Sequence, residues 1–146
     1  MSAVALLDVN VLIALLDPMH VHHEPAHQWF ATRGDLAWAS CALTQNAVLR
    51  ILGHPRYPNS PGAPAVVATV LQQLIRHPRH QFWADSLSLL TAPEVQASSL
   101  LDSAQIADTY LLALAVRQEA RLASFDRRLV TSAVAGGSEA LELIPA

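Results

Sequence analysis

The chain has 146 residues, 52% of them hydrophobic and only 14% charged, enough apolar material for one domain with a real core and unlike a disordered chain. The formal charge is −3 and all 9 basic residues are Arg, so no overall basic field announces a nucleic-acid binder, although a local Arg patch can still hold phosphates bidentately. The single Cys41 excludes an intrachain disulfide and fits a reducing compartment. No apolar run approaches the roughly 18 residues of a membrane span, and Asp8 interrupts the place where a signal peptide would need its apolar stretch. The expectation is a soluble, cytoplasmic protein.

In chain order, residues 4–7 read as a buried strand and 11–16 as a short helix, broken at Asp17-Pro18. A second helix is expected over 24–32, with Ala26, Trp29 and Phe30 on one face and Gly34 at its end. Residues 36–40 suggest a second strand. Thr44 can cap the helix that follows, whose apolar stripe is Ala47, Val48, Ile51 and Leu52. The Pro- and Gly-rich segment 53–64 reads as a loop, and helix resumes over 65–75. A short extended piece is expected within 81–90 and a small helix over 93–99. The Ala- and Leu-rich segment 103–118 is the clearest helix, opened by a capping box at Asp102-Ser103-Ala104-Gln105. Residues 121–125 read as a strand ending at Asp126, and 141–144 as the last strand. Strands alternating with helices predict one three-layer α/β/α domain over 1–146, with a central, mainly parallel sheet.

Three carboxylates stand out. In an open parallel sheet, sites form outside the carboxyl ends of the strands. Asp8 and Asp126 both lie at such ends. On the helix from Ser103, Asp108 is the charged member of the face Ala104, Asp108, Leu111, Leu112 and Ala115. Taken singly, Asp8 and Asp126 also read as N-caps, and Asp108 as a partner of Arg121 or Arg50. Taken together at one sheet edge, they suit a hard cation such as Mg²⁺ or Mn²⁺, and metal-assisted cleavage of a phosphodiester.

With these residues placed, the sequence resembles a PIN-domain protein, specifically a VapC-type toxin of a bacterial toxin–antitoxin pair. The likeness rests on five blocks in order: Leu7-Asp8-Val9-Asn10-Val11-Leu12, the stretch from His20 to Trp29, the stretch from Leu43 to Leu52, Ala107-Asp108-Thr109-Tyr110-Leu111-Leu112, and Leu122-Ala123-Ser124-Phe125-Asp126. The resemblance implies an Mg²⁺-dependent endoribonuclease acting on RNA of its own cell. It implies Asp8, Asp108 and Asp126 as the acidic metal cluster, with Asp8 and Asp108 as direct ligands and Asn10 in support. It also implies a small VapB-like antitoxin lying in the active-site groove, and a homodimer. The third block departs from the pattern: Gln45 aligns where many relatives carry Glu, unless the alignment slips and brings in Asn46. The choice between one metal and two stays open there, as does a catalytically weak PIN-like module that only binds RNA or protein.

Other residues carry less. His23 and His27 have the i, i+4 spacing of a metal clamp, with His20 and His22 nearby, yet no Cys or Glu completes a zinc pattern. Cys41 reads as a small buried residue. Arg50, Arg127 and Arg128, with Arg117 and Arg121, are RNA-contact candidates or members of a solvated face. Trp29, Trp38 and Trp83 read as core or interface aromatics, and Asp17 and Asp85 as loop acids. A phosphoaspartyl hydrolase, with Asp8 as nucleophile, would want a Lys beside the carboxylate, and the chain has none.

Overall fold

The structure, a computed structural model, describes residues 4–146. Short apolar runs bounded by turns form five strands: β1 (Ala5–Leu7), β2 (Trp38–Cys41), β3 (His80–Trp83), β4 (Arg121–Ser124) and β5 (Leu141–Leu143). They make one sheet in the order β3-β2-β1-β4-β5, with every neighbouring pair parallel. The helices between them are α1 (Val9–Leu16), α2 (His23–Thr32), α3 (Ala42–Leu52), α4 (Pro64–Ile75), α5 (Ile106–Arg117) and the short α6 (Gly137–Ala140).

Side-chain alternation along the strands divides the core in two. Ala5, Leu7, Trp38 and Ala123 face a cluster built with Val11, Leu12, Leu15, Trp29, Val48 and Val67 of α1 to α4. Leu6, Ala39, Cys41 and Leu122 face the other way, against Leu111, Leu112, Leu114 and Ala115 of α5 and Ala140 of α6. The expected three layers are therefore present, and the expected burial of Trp29, Trp38, Trp83 and Cys41 holds. Among the described residues, no helix is long and apolar enough to cross a membrane.

Several local expectations are corrected. Helix α1 begins at Val9, directly after Asp8, whose carboxylate accepts the Val9 N–H at 2.8 Å and so caps it. Helix α3 begins at Ala42, with Cys41 as its cap, and Thr44 sits one turn in, accepting the Cys41 N–H at 3.0 Å. Residues 93–99 form no small α-helix: Val95 makes an antiparallel bridge to Val134 and only Ala97–Ser99 turns helically, as 3-10. The capping box at Asp102 forms, but it opens a 3-10 turn, Ser103–Gln105, that leads into α5. Ala104 is consequently exposed and off the apolar face of α5. Asp17 is no loose loop acid. It is buried and accepts from the Met19 N–H, the Tyr57 hydroxyl and the Asn59 amide, which ties the 53–64 loop to the end of α1.

Where that loop meets the helices, the backbones crowd. A Cβ on Gly53 would lie 2.5 Å from the Leu49 carbonyl oxygen and 2.8 Å from Pro64 Cγ. Only glycine lets α3 end this close to the start of α4.

Candidate active site at the carboxyl edge of the sheet

Strands β1 and β4 pair with Leu7 opposite Ala123, which sets Asp8 beside Ser124 at the next step. The ladder carries on past the strand end, because the Asp8 N–H donates to the Ala123 carbonyl at 3.0 Å. Asp8 is 5% exposed. Its Oδ2 accepts from Ser124 Oγ at 2.7 Å and from Asn10 Nδ2 at 3.4 Å. Ser124 Oγ in turn accepts from Asn10 Nδ2 at 3.1 Å and from the Asp126 N–H at 3.0 Å. Asn10 Oδ1 accepts the Phe125 N–H at 3.2 Å. One hydroxyl thus joins Asp8, Asn10 and the backbone of Asp126 into a single network. Ser124 is the residue that sequence reasoning missed, and its only signal there was a polar side chain closing an apolar strand two positions before Asp126.

Helix α5 brings Asp108 to the same place in its first turn, half-buried, while Leu111 and Leu112 beneath it enter the core. Asp8, Asp108 and Asp126 all line one cleft of about 740 Å³, together with Asn10, Asn46 and Arg50, over a floor that includes Ile13, Ala47 and Ile51. Asp85 lines it too, a fourth carboxylate from the segment after β3. Its Oδ1 accepts from the Tyr110 hydroxyl at 3.0 Å. Burial, with Asp85 beside it, pushes the Tyr110 phenol up to about 12.

The electrostatics are those of negative charge without a counter-ion. Burial raises Asp8 above the usual carboxylate range; the hydrogen bonds from Ser124 and Val9 pull it partly back, and the Asp126 charge pushes it up again. Burial, then the charges of Asp8 and Asp126, push Asp108 up to about 6. Among the described residues, no Arg forms an ion pair with any of these carboxylates.

That uncompensated charge fits a hard divalent cation. The fit has a limit, however. Among the described residues, no three His, Cys, Asp or Glu side chains converge closely enough to hold a metal by themselves. The three carboxylates line one cleft without forming a closed three-ligand cage. An ion that retains most of its water and takes one or two carboxylates suits such an open site.

The remaining candidates separate clearly. Gln45 does not line the cleft; its amide donates to Ser40 Oγ at 2.9 Å, and Ser40 also bonds His80 Nε2 at 2.7 Å. Asn46 takes the place facing the carboxylates. Arg50 lines the cleft, whereas Arg127 and Arg128 are exposed outside its lining. Arg117 is used elsewhere, in a two-pronged bond to Glu94 at 2.8 and 2.7 Å and one to the Ser86 carbonyl at 2.7 Å. Arg121 lies 3.8 Å from Glu142, and among the described residues neither it nor Arg50 forms an ion pair with Asp108. The histidines are structural. The ring nitrogens of His23 and His27 meet the Ala14 and Leu15 carbonyls at 2.8 and 2.9 Å, closing the end of α1, and His22 stacks on Phe125 at 4.6 Å.

A parallel α/β/α domain with strand-end and helix-borne carboxylates around one open cleft defines a class, and comparison with known proteins agrees. Residues 5–135 match the PIN domain. The chain is 44% identical over 138 residues to Ribonuclease VapC44 of Mycobacterium tuberculosis, covering 92% of this chain and 94% of that protein. It is 36% identical over 137 residues to Ribonuclease VapC39 of the same organism, covering 94% and 99%. To Ribonuclease VapC38 it is 34% identical over 140 residues, covering 96% and 97%. The chain belongs to the PIN-domain family, in its VapC branch.

Proposed function

We propose that the protein is a metal-dependent endoribonuclease, the toxin of a toxin–antitoxin pair. The observation that carries this reading is the cleft that Asp8, Asp108 and Asp126 line together, none of them in an ion pair among the described residues. The VapC relatives, each named a ribonuclease, support the substrate. Asp8 and Asp108 would hold Mg²⁺ or Mn²⁺, which supplies, when bound, an acidified water and positive charge beside the departing oxygen. The chain's own groups prepare for that. Ser124 and Asn10 fix the rotamer of Asp8 and keep its Oδ2 accepting. The Asp126 N–H is anchored on Ser124 and its Oδ1 on the Arg128 N–H at 2.9 Å, which sets that carboxylate at the cleft wall. Burial and the charges of Asp8 and Asp126 hold the Asp108 carboxyl up at about 6, so in neutral solution it is mostly ionised and would be available to a cation.

The same reading assigns a small VapB-like antitoxin as partner, inhibiting by occupying the cleft, together with a homodimeric state, a cytoplasmic location and a single domain over the whole chain. The alternative of a catalytically weak binding module rested on Gln45. Gln45 donates to Ser40 Oγ and is not among the residues lining the cleft, which favours the catalytic reading.

The test uses purified protein and a labelled RNA. Cleavage is expected with Mg²⁺ or Mn²⁺ and none with EDTA. Asp8→Ala and Asp108→Asn should abolish cleavage while circular dichroism and melting show a folded chain. Cleavage at the parent's rate by both variants would sink the proposal.

A further inference from the structure

The cleft is one-sided in charge. Asp8, Asp85, Asp108 and Asp126 line it from the strand ends and α5, while Arg50, from the last turn of α3, is its sole cationic lining residue among the described residues. Arg50 is exposed, and among the described residues no carboxylate or carbonyl takes its guanidinium. By contrast, Arg79, Arg117 and Arg121 are each engaged by an acid. A guanidinium that shares a cleft with four carboxylates and pairs with none is free to take a phosphate. Asn46 lies one turn earlier, at i−4, on the same cleft-facing stripe of α3. Its amide also has no partner among the described residues. Between and below them, Ala47 and Ile51 give an apolar floor, over which a charge-assisted hydrogen bond is stronger than in open water.

From this arrangement we infer that Arg50 and Asn46 form a phosphate grip that seats the RNA backbone across the cleft. Arg50 takes two non-bridging oxygens of one phosphate in its planar fork, and Asn46 donates to the same group. The carboxylates opposite repel phosphate until a cation neutralises them. The α3 grip therefore holds a phosphate neighbouring the one that is attacked. Arg127 and Arg128, outside the lining, add no contact within the cleft. The inference rests on the ribonuclease reading.

Equilibrium binding tests it without relying on turnover. All proteins carry Asp108→Asn so that the RNA stays intact, and a fluorescent single-stranded RNA is titrated by anisotropy in Mg²⁺ over a series of KCl concentrations. Against that background, Arg50→Ala should bind about tenfold more weakly. Its log K against log salt plot should be shallower by about 0.7, the share of one phosphate contact on a single strand. Arg50→Lys should keep the slope and lose part of the affinity, since charge survives and the fork does not. Asn46→Leu should weaken binding with the slope unchanged. Arg76→Ala, an exposed arginine at the end of α4, should change neither quantity. An unchanged slope in Arg50→Ala overturns the grip, as does an equal fall in Arg76→Ala, which would show only general electrostatics. Failure of the parent to bind RNA at all, or cleavage of RNA by Asp108→Asn, would instead strike the ribonuclease reading or its site.

Discussion

Ser124 donates its hydroxyl hydrogen to Asp8 Oδ2 at 2.7 Å from 116 residues further along the chain. The bond is wholly buried and charge-assisted, and it depends on β1 and β4 pairing in the observed register. Ser124→Ala removes it together with the acceptor used by Asn10 and the Asp126 N–H. The expected cost is about 2 kcal/mol of stability, the order for a hydrogen bond to a charged group, read by urea denaturation. Losing that donor also lets burial lift Asp8 further, so the acid limb of the cleavage-rate profile should move to higher pH. A profile identical to the parent's would show that Ser124 does not control Asp8.

Asp108 predicts a pH dependence of stability in metal-free protein. Its carboxyl is raised from 3.8 to about 6 on folding, so between these values the folded chain keeps a proton that the unfolded chain releases. Stability contributed by this group therefore falls as pH rises from about 4 to about 6, and stays low above that. In EDTA, Asp108→Asn should melt at the parent's temperature near pH 4 and above it at pH 7. Mn²⁺ should narrow the gap at pH 7 by stabilising the parent. A difference that stays flat from pH 4 to pH 7 would contradict the burial of Asp108 among like charges.

Gln45→Glu should not strengthen metal binding. The new carboxylate would arrive beside Ser40 and His80 rather than at the cleft. Mn²⁺ affinity measured by calorimetry is expected within twofold of the parent; a tenfold gain would mean that residue 45 reaches the carboxylates after all.

Gly53→Ala forces a methyl group against the Leu49 carbonyl and the Pro64 ring. Overpacking at such a junction costs about 2 kcal/mol, and the melting temperature should fall by roughly 5 °C. A melting temperature equal to the parent's would mean that the α3–α4 junction relaxes freely.

The central strands and the two strand-end acids were legible because apolar runs and their polar stops need no long-range information. Asp8 met both of its readings at once, as the cap of α1 and as a wall of the cleft. In the third block the alignment leaves the choice between Gln45 and Asn46 open. Residues 45 and 46 are adjacent, and each residue turns a helix by about 100°, so they point in different directions. With Cys41 as the cap, the stripe Asn46, Ala47, Arg50 and Ile51 faces the cleft, and Gln45 turns towards Ser40. Ser124 escaped notice because a small residue in a strand looks like core filling until strand register sets it beside Asp8. Strand β3 and Asp85 were obscure because β3 is an edge strand with exposed residues, so no apolar alternation marks it.

The parallel pairing of β1 with β4 has a consequence for the cell that makes the chain. During synthesis Asp8, Asn10 and the arginine of α3 leave the ribosome well before Asp108, Ser124 and Asp126. Parallel strands this far apart in sequence must close a long loop before they can meet. A nascent chain that has not yet released α5 and β4, still surrounded by ribosomal RNA, thus holds only half of its acidic wall.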